Sequence, residues 1–425
     1  MRLVFTITKT DSGFSTLMDS PDQNAFGIPV NSTSFENSTL KIIVTNAQID
    51  YVGVLGTDNK IIGDFKQGGL SFPLNLSKEK VEIEKIIRPQ EPSKPYPYYT
   101  EEVTFENKNA GIQLAGTLSL PKKEGLFPAV ILISGSGPQN RDEELLGHKP
   151  FLVLSNFLTN NGIAVLRFDD RGTALSKGDF ETATSLDFST DVEAALQFLL
   201  SRKEINKTKI GLIGHSEGGI IAPMVANKSK NIAFIVLLAG TGIQGDELLL
   251  LQQELLGKAS GINDEALKKL IAKNKEAFKI VKNATDQNQL KLDLMNYLKQ
   301  SLNDKPEGIS DDDFINLQVN QLSSNWLQYF IKYNPAQTLE KVKCPVLAIN
   351  GEKDLQVPPK ENLEAIRIAL KKGGNKKVTL LEIPNLNHLF QECNTGTPQE
   401  YSEIEQTFSP LALNEVLKWI QIQTK

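Results

Sequence analysis

The sequence G-H-S-E-G at residues 214–218 could hold a nucleophilic serine, Ser216, at a sharp turn. It matches the G-x-S-x-G pattern, in which the serine lies at the tip of a turn between a strand and a helix. The apolar run KIGLIG precedes the serine, and GGIIAPMVAN follows it with the composition of a buried helix. Glycines on both sides would let strand and helix approach closely. This context predicts a nucleophile elbow.

Three histidines, His148, His215 and His388, are candidates for the general base. His215 adjoins Ser216, and neighbouring side chains diverge at a sharp turn, so we expect its ring to pack beneath the elbow. His148 follows the first parallel strand, in LLGHKPF, where a pocket-lining or structural role is expected. His388 follows the last predicted strand, and the carboxyl ends of parallel strands share one edge of a sheet. The sequence therefore predicts His388 as the base.

The third member of such a triad is an acid that orients the histidine. The segment CPVLAINGEKDLQVPP predicts a strand, a glycine turn and then Asp354. The chain order Ser216, Asp354, His388 is the order found in α/β-hydrolases. We expect Asp354 to fix the tautomer of the imidazole and to stabilise the imidazolium. Glu352, two residues earlier, is the competing acid.

Two backbone N–H groups should stabilise the oxyanion that develops on a substrate carbonyl. We expect one from Glu217, directly after the nucleophile, and another from Ser136 or Gly137 in the loop ISGSGPQNRDE. This loop also resembles the start of a dinucleotide-binding fingerprint. However, Asn140 replaces the third glycine, and the acidic candidate Asp169 lies further on than the expected distance of about 20 residues. A nicotinamide-dependent enzyme is therefore disfavoured.

Several further side chains could support or line the site. In RFDDRGTALSKGD, Asp170 and Arg171 are expected to form a buried ion pair that braces neighbouring loops. Trp326, Phe330 and Tyr333 recur at helical spacing in NWLQYFIKYNP. They could line an acyl pocket, and core packing is an equal alternative.

The elements that must position these residues follow from the apolar pattern after about residue 100. Nearly continuous apolar runs are typical of parallel strands buried on both faces; they are FPAVILISG, GIAVLRFDD, KIGLIG, IAFIVLLAG, CPVLAING and KVTLLEIP. Helical stretches such as TDVEAALQFLLSRK lie between them. The alternation predicts an α/β protein with a doubly wound, mostly parallel sheet, formed by residues 100–241 and 336–425. Residues 242–335 carry only amphipathic helical patterns and predict a helical cap inserted between two strands.

Residues 1–85 have the pattern of a small all-β domain, with short strand-like segments separated by Gly, Asp, Asn and Ser. The sequence GTDNK at residues 56–60 predicts a hairpin turn. A proline-rich stretch, RPQEPSKPYPYY, follows the β region. We therefore expect residues 86–99 to be an extended interdomain linker.

Composition narrows the possible functions. The 425 residues include 46 Lys and Arg against 51 Asp and Glu, with a net charge of −5 and no basic block, so nucleic acid is not an expected partner. No apolar run reaches the roughly 18–20 residues of a membrane span. The cysteines and histidines show no metal-site spacing. The N-terminus lacks the features of a secretory signal, and the sequence leaves the location open: cytoplasmic as the sequence stands, periplasmic or extracellular if a signal peptide has been removed. A homo-oligomer is compatible with this composition.

Five segments together resemble the α/β-hydrolase esterases of the EstD-like type: SGSGPQNRDEELLGHKPF, LRFDDRGTALSKGDF, GHSEGG, NGEKDLQVPP and NLNHLFQECNTGTPQEYSEIEQTFSP. The resemblance runs from the proline-rich stretch to the C-terminus, and the β region resembles the small domain ahead of the hydrolase domain in such proteins. It implies a carboxylesterase that acts on short acyl esters without a cofactor. By matched motif it assigns the nucleophile to Ser216, the acid to Asp354 and the base to His388. One departure is Ala174, which stands where the D-x-R-G-x-G-x-S turn has its second glycine.

Two other functions fit parts of the sequence. A serine peptidase of the prolyl oligopeptidase or aminopeptidase kind would use the same triad. The acidic run at residues 311–313 could then hold a peptide amino terminus, although a solvated helix start is the simpler interpretation. A ligand-binding protein built on a decayed hydrolase would depend on residues 1–85, but the intact triad pattern argues against decay.

Overall fold

The computed structural model describes residues 3–10, 13–20, 25–44, 49–67, 70–78, 88–300 and 310–425. These residues fall into two compact units. The first contains the described residues of Met1–Ile86 and Ala284–Ser323, and the second contains those of Ile87–Asn283 and Ser324–Lys425. All the residues that the sequence nominates for catalysis belong to the second unit.

The strands, in chain order, are β1 Val4–Thr10, β2 Gly13–Ser20, β3 Ala25–Pro29, β4 Ser32–Glu36, β5 Thr39–Val44, β6 Ile49–Leu55, β7 Ile61–Gln67, β8 Leu70–Pro73, β9 Tyr99–Asn107, β10 Ile112–Leu120, β11 Phe127–Ile133, β12 Ala164–Phe168, β13 Ile205–His215, β14 Ile232–Leu238, β15 Val346–Gly351 and β16 Val378–Ile383. The helices are α1 Pro150–Asn160, α2 Ser185–Ser201, α3 Gly218–Lys228, α4 Gly245–Ala259, α5 Asp264–Asn283, α6 Gln287–Lys299, α7 Asp311–Leu322, α8 Asn325–Lys332, α9 Pro335–Leu339, α10 Pro359–Lys372 and α11 Pro410–Gln423. Of the helices in the described ranges, none is both long and apolar enough to cross a membrane.

The first unit holds two antiparallel sheets, β1–β3 and β4–β8, together with α6 and α7. Buried and exposed residues alternate along β5 and β6, as expected of strands with one face on a core. Ile42, Tyr51 and Phe65 are buried in that core. β6 and β7 pair as a hairpin around residues 56–60, where the sequence predicted a turn.

The second unit is built on an eight-stranded sheet in the order β9-β10-β12-β11-β13-β14-β15-β16. β10 runs antiparallel to β9 and β12, and the other neighbouring strands are parallel. Helices α1 and α11 pack on one face, and α2, α3 and α10 pack on the other. The apolar runs of the central strands therefore reflect burial on both faces. This arrangement confirms the predicted α/β-hydrolase fold class.

The carboxyl ends of the parallel strands bring the nominated residues to one edge of the sheet. The loop with Ser136 follows β11, and the elbow with Ser216 follows β13. Asp354 follows β15, and His388 follows β16. Residues that are far apart in the sequence therefore meet because each lies just beyond a strand end.

The described residues between β14 and β15 form six helices, α4–α9, in the segment where the sequence predicted only helices. α4, α5 and α8 pack against one another within the second unit, whereas α6 and α7 pack together within the first. On α5, Leu267, Phe278 and Val281 are buried at helical spacing. The inserted segment is thus divided between the two compact units.

The described part of the proline-rich stretch is anchored to the second unit. Arg88 is buried, and its guanidinium donates to four backbone carbonyls, those of Leu146, Gly147, Ser402 and Ile404. The side chain of Gln90 donates to the carbonyl of Phe408 at 2.7 Å and accepts its N–H at 2.9 Å. From residue 88 onward, the expected linker is therefore held in place, because two polar side chains satisfy backbone groups of distant loops.

Candidate active site

Ser216 lies at the tip of a sharp turn between β13 and α3. Its φ angle is +52°, in the left-handed region that residues other than glycine rarely adopt. A Cβ atom on Gly214 would lie 2.0 Å from the carbonyl oxygen of Gly218, and one on Gly218 would lie 2.2 Å from that of Ile133. Both positions therefore require glycine. The strand and the helix meet closely enough to hold Ser216 in the strained conformation of a nucleophile elbow.

His388 and Asp354 form a buried pair at the same edge of the sheet. Nδ1 of His388 is 2.8 Å from Oδ2 of Asp354. The other carboxylate oxygen, Oδ1, accepts the backbone N–H groups of Gln356 and Val357 at 2.9 and 2.8 Å. The fixed carboxylate keeps the proton of a neutral ring on Nδ1 and leaves Nε2 unprotonated. Ser216 and His388 line the same cavity.

Glu352, the competing acid, is engaged elsewhere. Its carboxylate accepts the backbone N–H of Asn385 at 2.9 Å, and its side chain is exposed. Asp354 is only 2% exposed and lies against the histidine. Burial and contact therefore favour Asp354 as the partner of His388.

Ser136 and Glu217 line the cavity beside Ser216. Within the described part of the chain, neither of their backbone N–H groups donates a hydrogen bond. The N–H of Gly135, by contrast, donates to Oε1 of Glu143 at 2.7 Å. Gly137, the alternative to Ser136, is not part of the described cavity lining. Ser136 and Glu217 are thus the backbone donors that are available to an oxyanion.

The loops around the cavity are braced, but by contacts that differ from the expected ion pair. Arg171 pairs with Asp191 at 2.7 Å rather than with Asp170. Asp170 accepts the hydroxyl of Ser134 at 2.7 Å and the backbone N–H of Gln139 at 3.0 Å. Burial raises the pKa of Asp170 well above its usual value. The expected pairing of Asp170 with Arg171 is therefore corrected: the two adjacent side chains reach different partners.

The departure at Ala174 leaves its turn intact. Ala174 has a φ angle of +48°, in the left-handed region, where an L-residue costs roughly 1–2 kcal/mol. Ser176 in the same turn donates to the carbonyl of Asp169 at 2.7 Å and accepts the N–H of Ala115 at 2.9 Å. These bonds hold the turn in the conformation that a glycine would adopt more easily.

The cavity beside Ser216 has a volume of about 310 Å³. Leu248 and Leu249 of α4 and Trp326 and Phe330 of α8 contribute apolar surface to its wall. The rings of Trp326 and Phe330 are stacked, with centroids 5.0 Å apart. Two of the three aromatic residues that the sequence nominated therefore line the cavity.

The other two expected pocket residues lie elsewhere. His148 is fully buried, with Nδ1 2.9 Å from the hydroxyl oxygen of Thr407 and Nε2 2.7 Å from the carbonyl oxygen of Tyr401. The hydroxyl of Tyr333 donates to that of Thr338 at 2.7 Å. Neither His148 nor Tyr333 belongs to the described cavity lining. Their assignment to the pocket is corrected, because each is held by polar partners outside it.

His215 packs beneath the elbow. Its Nδ1 is 2.8 Å from Oε1 of Glu143, and its Nε2 is 3.0 Å from the carbonyl oxygen of His388. Burial opposes the charged ring most strongly, but the charge and hydrogen bond of Glu143, the carbonyl of His388 and the charge of Asp354 outweigh it and raise the pKa of His215. Both ring nitrogens are thus engaged away from the serine.

Sequence reasoning missed two carboxyl groups at the site, those of Glu143 and Glu217. Oε1 of Glu217 accepts the hydroxyl of Ser185 at 2.6 Å and the indole N–H of Trp326 at 2.8 Å. Burial raises the pKa of Glu217 in spite of these two bonds, which favours the uncharged acid. The position directly after the nucleophile could have nominated Glu217. The adjacent acids Glu143 and Glu144 carry no spacing signal that tells which one turns inward.

The groups that meet at the cavity are a hydroxyl, an imidazole paired with a carboxylate, and two free backbone donors. Such a set can attack a carbonyl carbon through the hydroxyl while the imidazole transfers the proton. Within the described residues, no three His, Cys, Asp or Glu side chains are grouped closely enough to hold a metal ion.

A family model described as X-Pro dipeptidyl-peptidase (S15 family) matches residues 85–382. The chain belongs to the S15 family. Esterase EstD of Thermotoga maritima is 27% identical to this S15 member over 332 residues, which cover 76% of this chain and 69% of that protein. The uncharacterized protein PA2218 of Pseudomonas aeruginosa is 31% identical over 137 residues, which cover 32% of this chain and 35% of that protein. The similarity to EstD confirms the resemblance that the motifs indicated.

Solved structures of other proteins are also similar to this chain. The crystal structure of PA2218 covers 81% of this chain and 100% of its own, with a TM-score of 0.49 and 16% identity. The esterase Pf2001 of Pyrococcus furiosus covers 81% of this chain and 100% of its own, with a TM-score of 0.47 and 15% identity. Family membership and the sheet order together make this S15 member an enzyme of the hydrolase class.

Proposed function

We propose that this S15 member is a serine carboxylesterase that hydrolyses short-chain carboxylic esters through an acyl-enzyme intermediate. One observation carries the proposal: Ser216, on a strained elbow, shares a cavity with His388, whose Nδ1 is held 2.8 Å from Asp354. The similarity to an esterase over most of the chain supports the same conclusion.

In the first half of the proposed reaction, Ser216 transfers its hydroxyl proton to Nε2 of His388 as its oxygen bonds to the ester carbonyl carbon. Asp354 accepts the N–H of Nδ1 and stabilises the imidazolium. The backbone N–H groups of Ser136 and Glu217 donate to the negative carbonyl oxygen. His388 then gives its proton to the leaving alcohol oxygen, the carbon–oxygen bond breaks, and the acyl group stays on the serine.

In the second half, a water molecule gives a proton to Nε2 of His388 and attacks the acyl carbon. The same two N–H groups stabilise the second tetrahedral intermediate. Its collapse releases the carboxylic acid and returns the proton from His388 to Ser216. The chain's own groups therefore supply every proton transfer of the cycle.

The cavity supports a short acyl group. Its volume of about 310 Å³ lies at the small end of the range of about 300–1,000 Å³ that is common for ligand pockets. In this proposal the inserted segment, residues 242–335, acts as a cap, because α4 and α8 contribute apolar side chains to the cavity wall. The β domain would then be residues 1–85. The catalytic domain would be residues 100–241 together with residues 336–425.

A serine peptidase is the second candidate, because the family model is described by a dipeptidyl-peptidase activity. A peptidase of that kind needs an anion for the substrate's amino terminus. Of the acids in the described cavity lining, Glu143 is paired with His215, and burial favours the uncharged form of Glu217 by raising its pKa. Residues 311–313 form the first turn of α7, behind the helix cap Ser310. These residues belong to the first compact unit, whereas the cavity belongs to the second. Neither acid of the described cavity lining is a free carboxylate for an ammonium group, which favours the esterase.

The test compares p-nitrophenyl acetate through decanoate with glycyl-prolyl p-nitroanilide, in the wild type and in Ser216→Ala. We expect kcat/KM to be highest for acetate or butyrate and about tenfold lower for decanoate. The anilide should react at least about 100-fold more slowly than the best ester. Ser216→Ala should lose at least about 10⁴-fold. A preference for the anilide would establish the peptidase. A folded wild type that turns over neither substrate would favour a ligand-binding protein on a decayed hydrolase.

A further inference from the structure

Glu143 and His215 form a second buried histidine–carboxylate pair, which touches three segments of the candidate site. Oε1 of Glu143 is 2.8 Å from Nδ1 of His215 and also accepts the backbone N–H of Gly135 at 2.7 Å. Nε2 of His215 is 3.0 Å from the backbone carbonyl oxygen of His388. Hydrogen bonds therefore connect the loop after β11, the elbow that carries Ser216 and the loop after β16.

Both ring nitrogens of His215 face oxygen atoms that act as acceptors. A carbonyl oxygen only accepts, so Nε2 must carry a proton. Oε1 of Glu143 already accepts the N–H of Gly135, and a carboxylate oxygen accepts from Nδ1 as well. A neutral imidazole has one N–H and satisfies one of these contacts, whereas an imidazolium satisfies both. With Glu143 as a carboxylate, the contacts are those of an imidazolium ion.

We propose that Glu143 and His215 are positioning residues for the esterase reaction, an ion pair that holds the oxyanion loop and the elbow in place and whose deprotonation limits activity at alkaline pH. The proposal rests on the esterase function proposed above. The pair acts through the backbone of Gly135 and His388 and through the covalent link from His215 to Ser216. It transfers no proton to or from the substrate.

The packing around Gly135 explains why the position of Glu143 matters. A Cβ atom on Gly135 would lie 3.2 Å from Cβ of Ser216 and 3.4 Å from Oε1 of Glu143. The next residue, Ser136, supplies the proposed oxyanion donor. Glu143 has a φ angle of +51°, so its loop holds it in the strained left-handed region. If the pair breaks, the donor shifts relative to the nucleophile, and a displacement of about 1 Å can lower the rate about 100-fold.

Titratable groups from three segments face His215. They are the carboxylates of Glu143 and Asp354 and the ring of His388, whose centroid lies 4.8 Å from that of His215. Burial is the largest influence and lowers the pKa of His215, but Glu143, the carbonyl of His388 and Asp354 together raise it above the ordinary 6.5. The stabilisation by the ion pair is therefore fully present below about pH 6.5 and is lost as the pH rises through the higher pKa of the folded state.

The first experiment measures kcat for p-nitrophenyl butyrate across roughly pH 6 to 10 in the wild type, Glu143→Gln and Glu144→Gln. A single oxygen of Glu143, Oε1, faces both the N–H of Gly135 and Nδ1 of His215. A glutamine oxygen in that place still accepts the N–H of Gly135, but without a negative charge it no longer holds a proton on Nδ1, so the alkaline titration is removed. We expect wild-type kcat to fall at least about tenfold from its optimum to the alkaline end. Glu143→Gln should stay within about tenfold of the wild type near neutrality and lose this alkaline fall.

Glu144→Gln is the matched control. The carboxylate of Glu144 accepts the side-chain amide of Asn140 at 3.2 Å and lies outside the described cavity lining. This variant should keep the alkaline fall of the wild type. Glu143→Ala removes the brace altogether and should lower kcat about 100-fold with KM changed less than about threefold. An alkaline fall that persists unchanged in Glu143→Gln would overturn the proposal.

A second measurement does not depend on turnover. The chain has three histidines, so ¹⁵N labelling of histidine in Ser216→Ala protein gives a simple ring-nitrogen spectrum, in which the additional change His215→Gln identifies the signals of His215. Both nitrogens of His215 should be mostly protonated at pH 6.5, and the ring should titrate at lower pH in Glu143→Gln. A neutral His215 ring at pH 6.5 refutes the ion pair. If the wild type hydrolyses no ester, the proposed function fails, and this titration still decides on the pair.

Discussion

Two histidine–carboxylate pairs lie side by side in this molecule. In each, Nδ1 of the ring is 2.8 Å from a carboxylate oxygen, that of Asp354 for His388 and that of Glu143 for His215. The ring centroids are 4.8 Å apart, and both rings are almost completely buried. The pairs differ at the second nitrogen. Nε2 of His215 is 3.0 Å from a backbone carbonyl oxygen, whereas Nε2 of His388 has no hydrogen-bond partner among the described residues.

This difference teaches that a carboxylate beside a histidine does not by itself identify a base. A nitrogen that faces a carbonyl must keep its proton, so the ring of His215 can only hold structure. A nitrogen that faces a cavity can present a lone pair, and the ring of His388 can accept a proton there. The group that Nε2 faces, more than the partner of Nδ1, therefore distinguishes His388, the proposed base, from His215, the proposed positioning residue.

The largest effect should come from removing one ring or the other. His388→Ala should lower kcat/KM for p-nitrophenyl butyrate at least about 10⁴-fold, because no other group is placed to take the proton of Ser216. His215→Ala should lower it only about 10- to 100-fold, through displacement of the elbow and the oxyanion loop. Circular dichroism on both variants checks that they fold. Equal losses in two folded variants would contradict the distinction between the rings, and a greater loss in His215→Ala would reverse it.

A smaller effect is expected from changing the acid. Asp354→Asn should lower kcat by about 10⁴-fold or somewhat less at pH 8, because an amide can donate to Nδ1 and favour the tautomer with its proton on Nε2. Glu352→Gln is the matched control two residues away, on an exposed side chain that accepts the N–H of Asn385. It should stay within about twofold of the wild type. If Glu352→Gln were the more harmful change, the acid would have to be reassigned.

Sequence reasoning could reach Ser216, Asp354 and His388 because each directly follows an apolar strand. Parallel strands deliver such residues to one edge whatever their separation along the chain. Glu143 could not be found in this way, because its inward direction comes from a left-handed backbone angle of +51° within a loop. Periodicity and composition carry no information on that angle.

His148 is a second example of a contact that the sequence could not predict. Its polar partners, Thr407 and Tyr401, lie 259 and 253 residues away in the sequence, and no local pattern links them to LLGHKPF. The fold itself was easier to predict. A continuous apolar run indicates a strand buried on both faces, and an alternating pattern indicates a strand buried on one face. The inserted helices were predicted as helices. However, an amphipathic period specifies that a helix buries one face without specifying its partner, so the division of α4–α9 between two units could not be foreseen.

His148 also extends the comparison to a buried histidine without a carboxylate partner, and its replacement should have the smallest effect on activity. Burial and then the charge of Arg88 lower its pKa to about 4. In the unfolded chain the ring of His148 takes up a proton near pH 6.5, whereas in the folded chain it does so only near pH 4. The free energy of unfolding that this residue contributes is therefore fully present above pH 6.5 and is lost as the pH falls toward 4. The loss contributed by this residue should be of the order of 3 kcal/mol.

The variant His148→Gln keeps an N–H that can donate to the carbonyl of Tyr401, but it does not titrate. We expect it to lower the melting temperature by a few degrees at pH 8 and to show a shallower further decline between pH 6.5 and 4 than the wild type. Thermal unfolding followed by circular dichroism at intervals of half a pH unit measures both. If the melting temperatures of the two proteins declined in parallel between pH 6.5 and 4, protonation of His148 would not be the cause of the decline. The alkaline fall of kcat should be unchanged in His148→Gln. If this fall became steeper or disappeared, His148 would be coupled to the pair of Glu143 and His215. The expected result gives His148 a pH dependence of stability, set by burial and the charge of Arg88, that is separate from the pH dependence of activity proposed for the pair of Glu143 and His215.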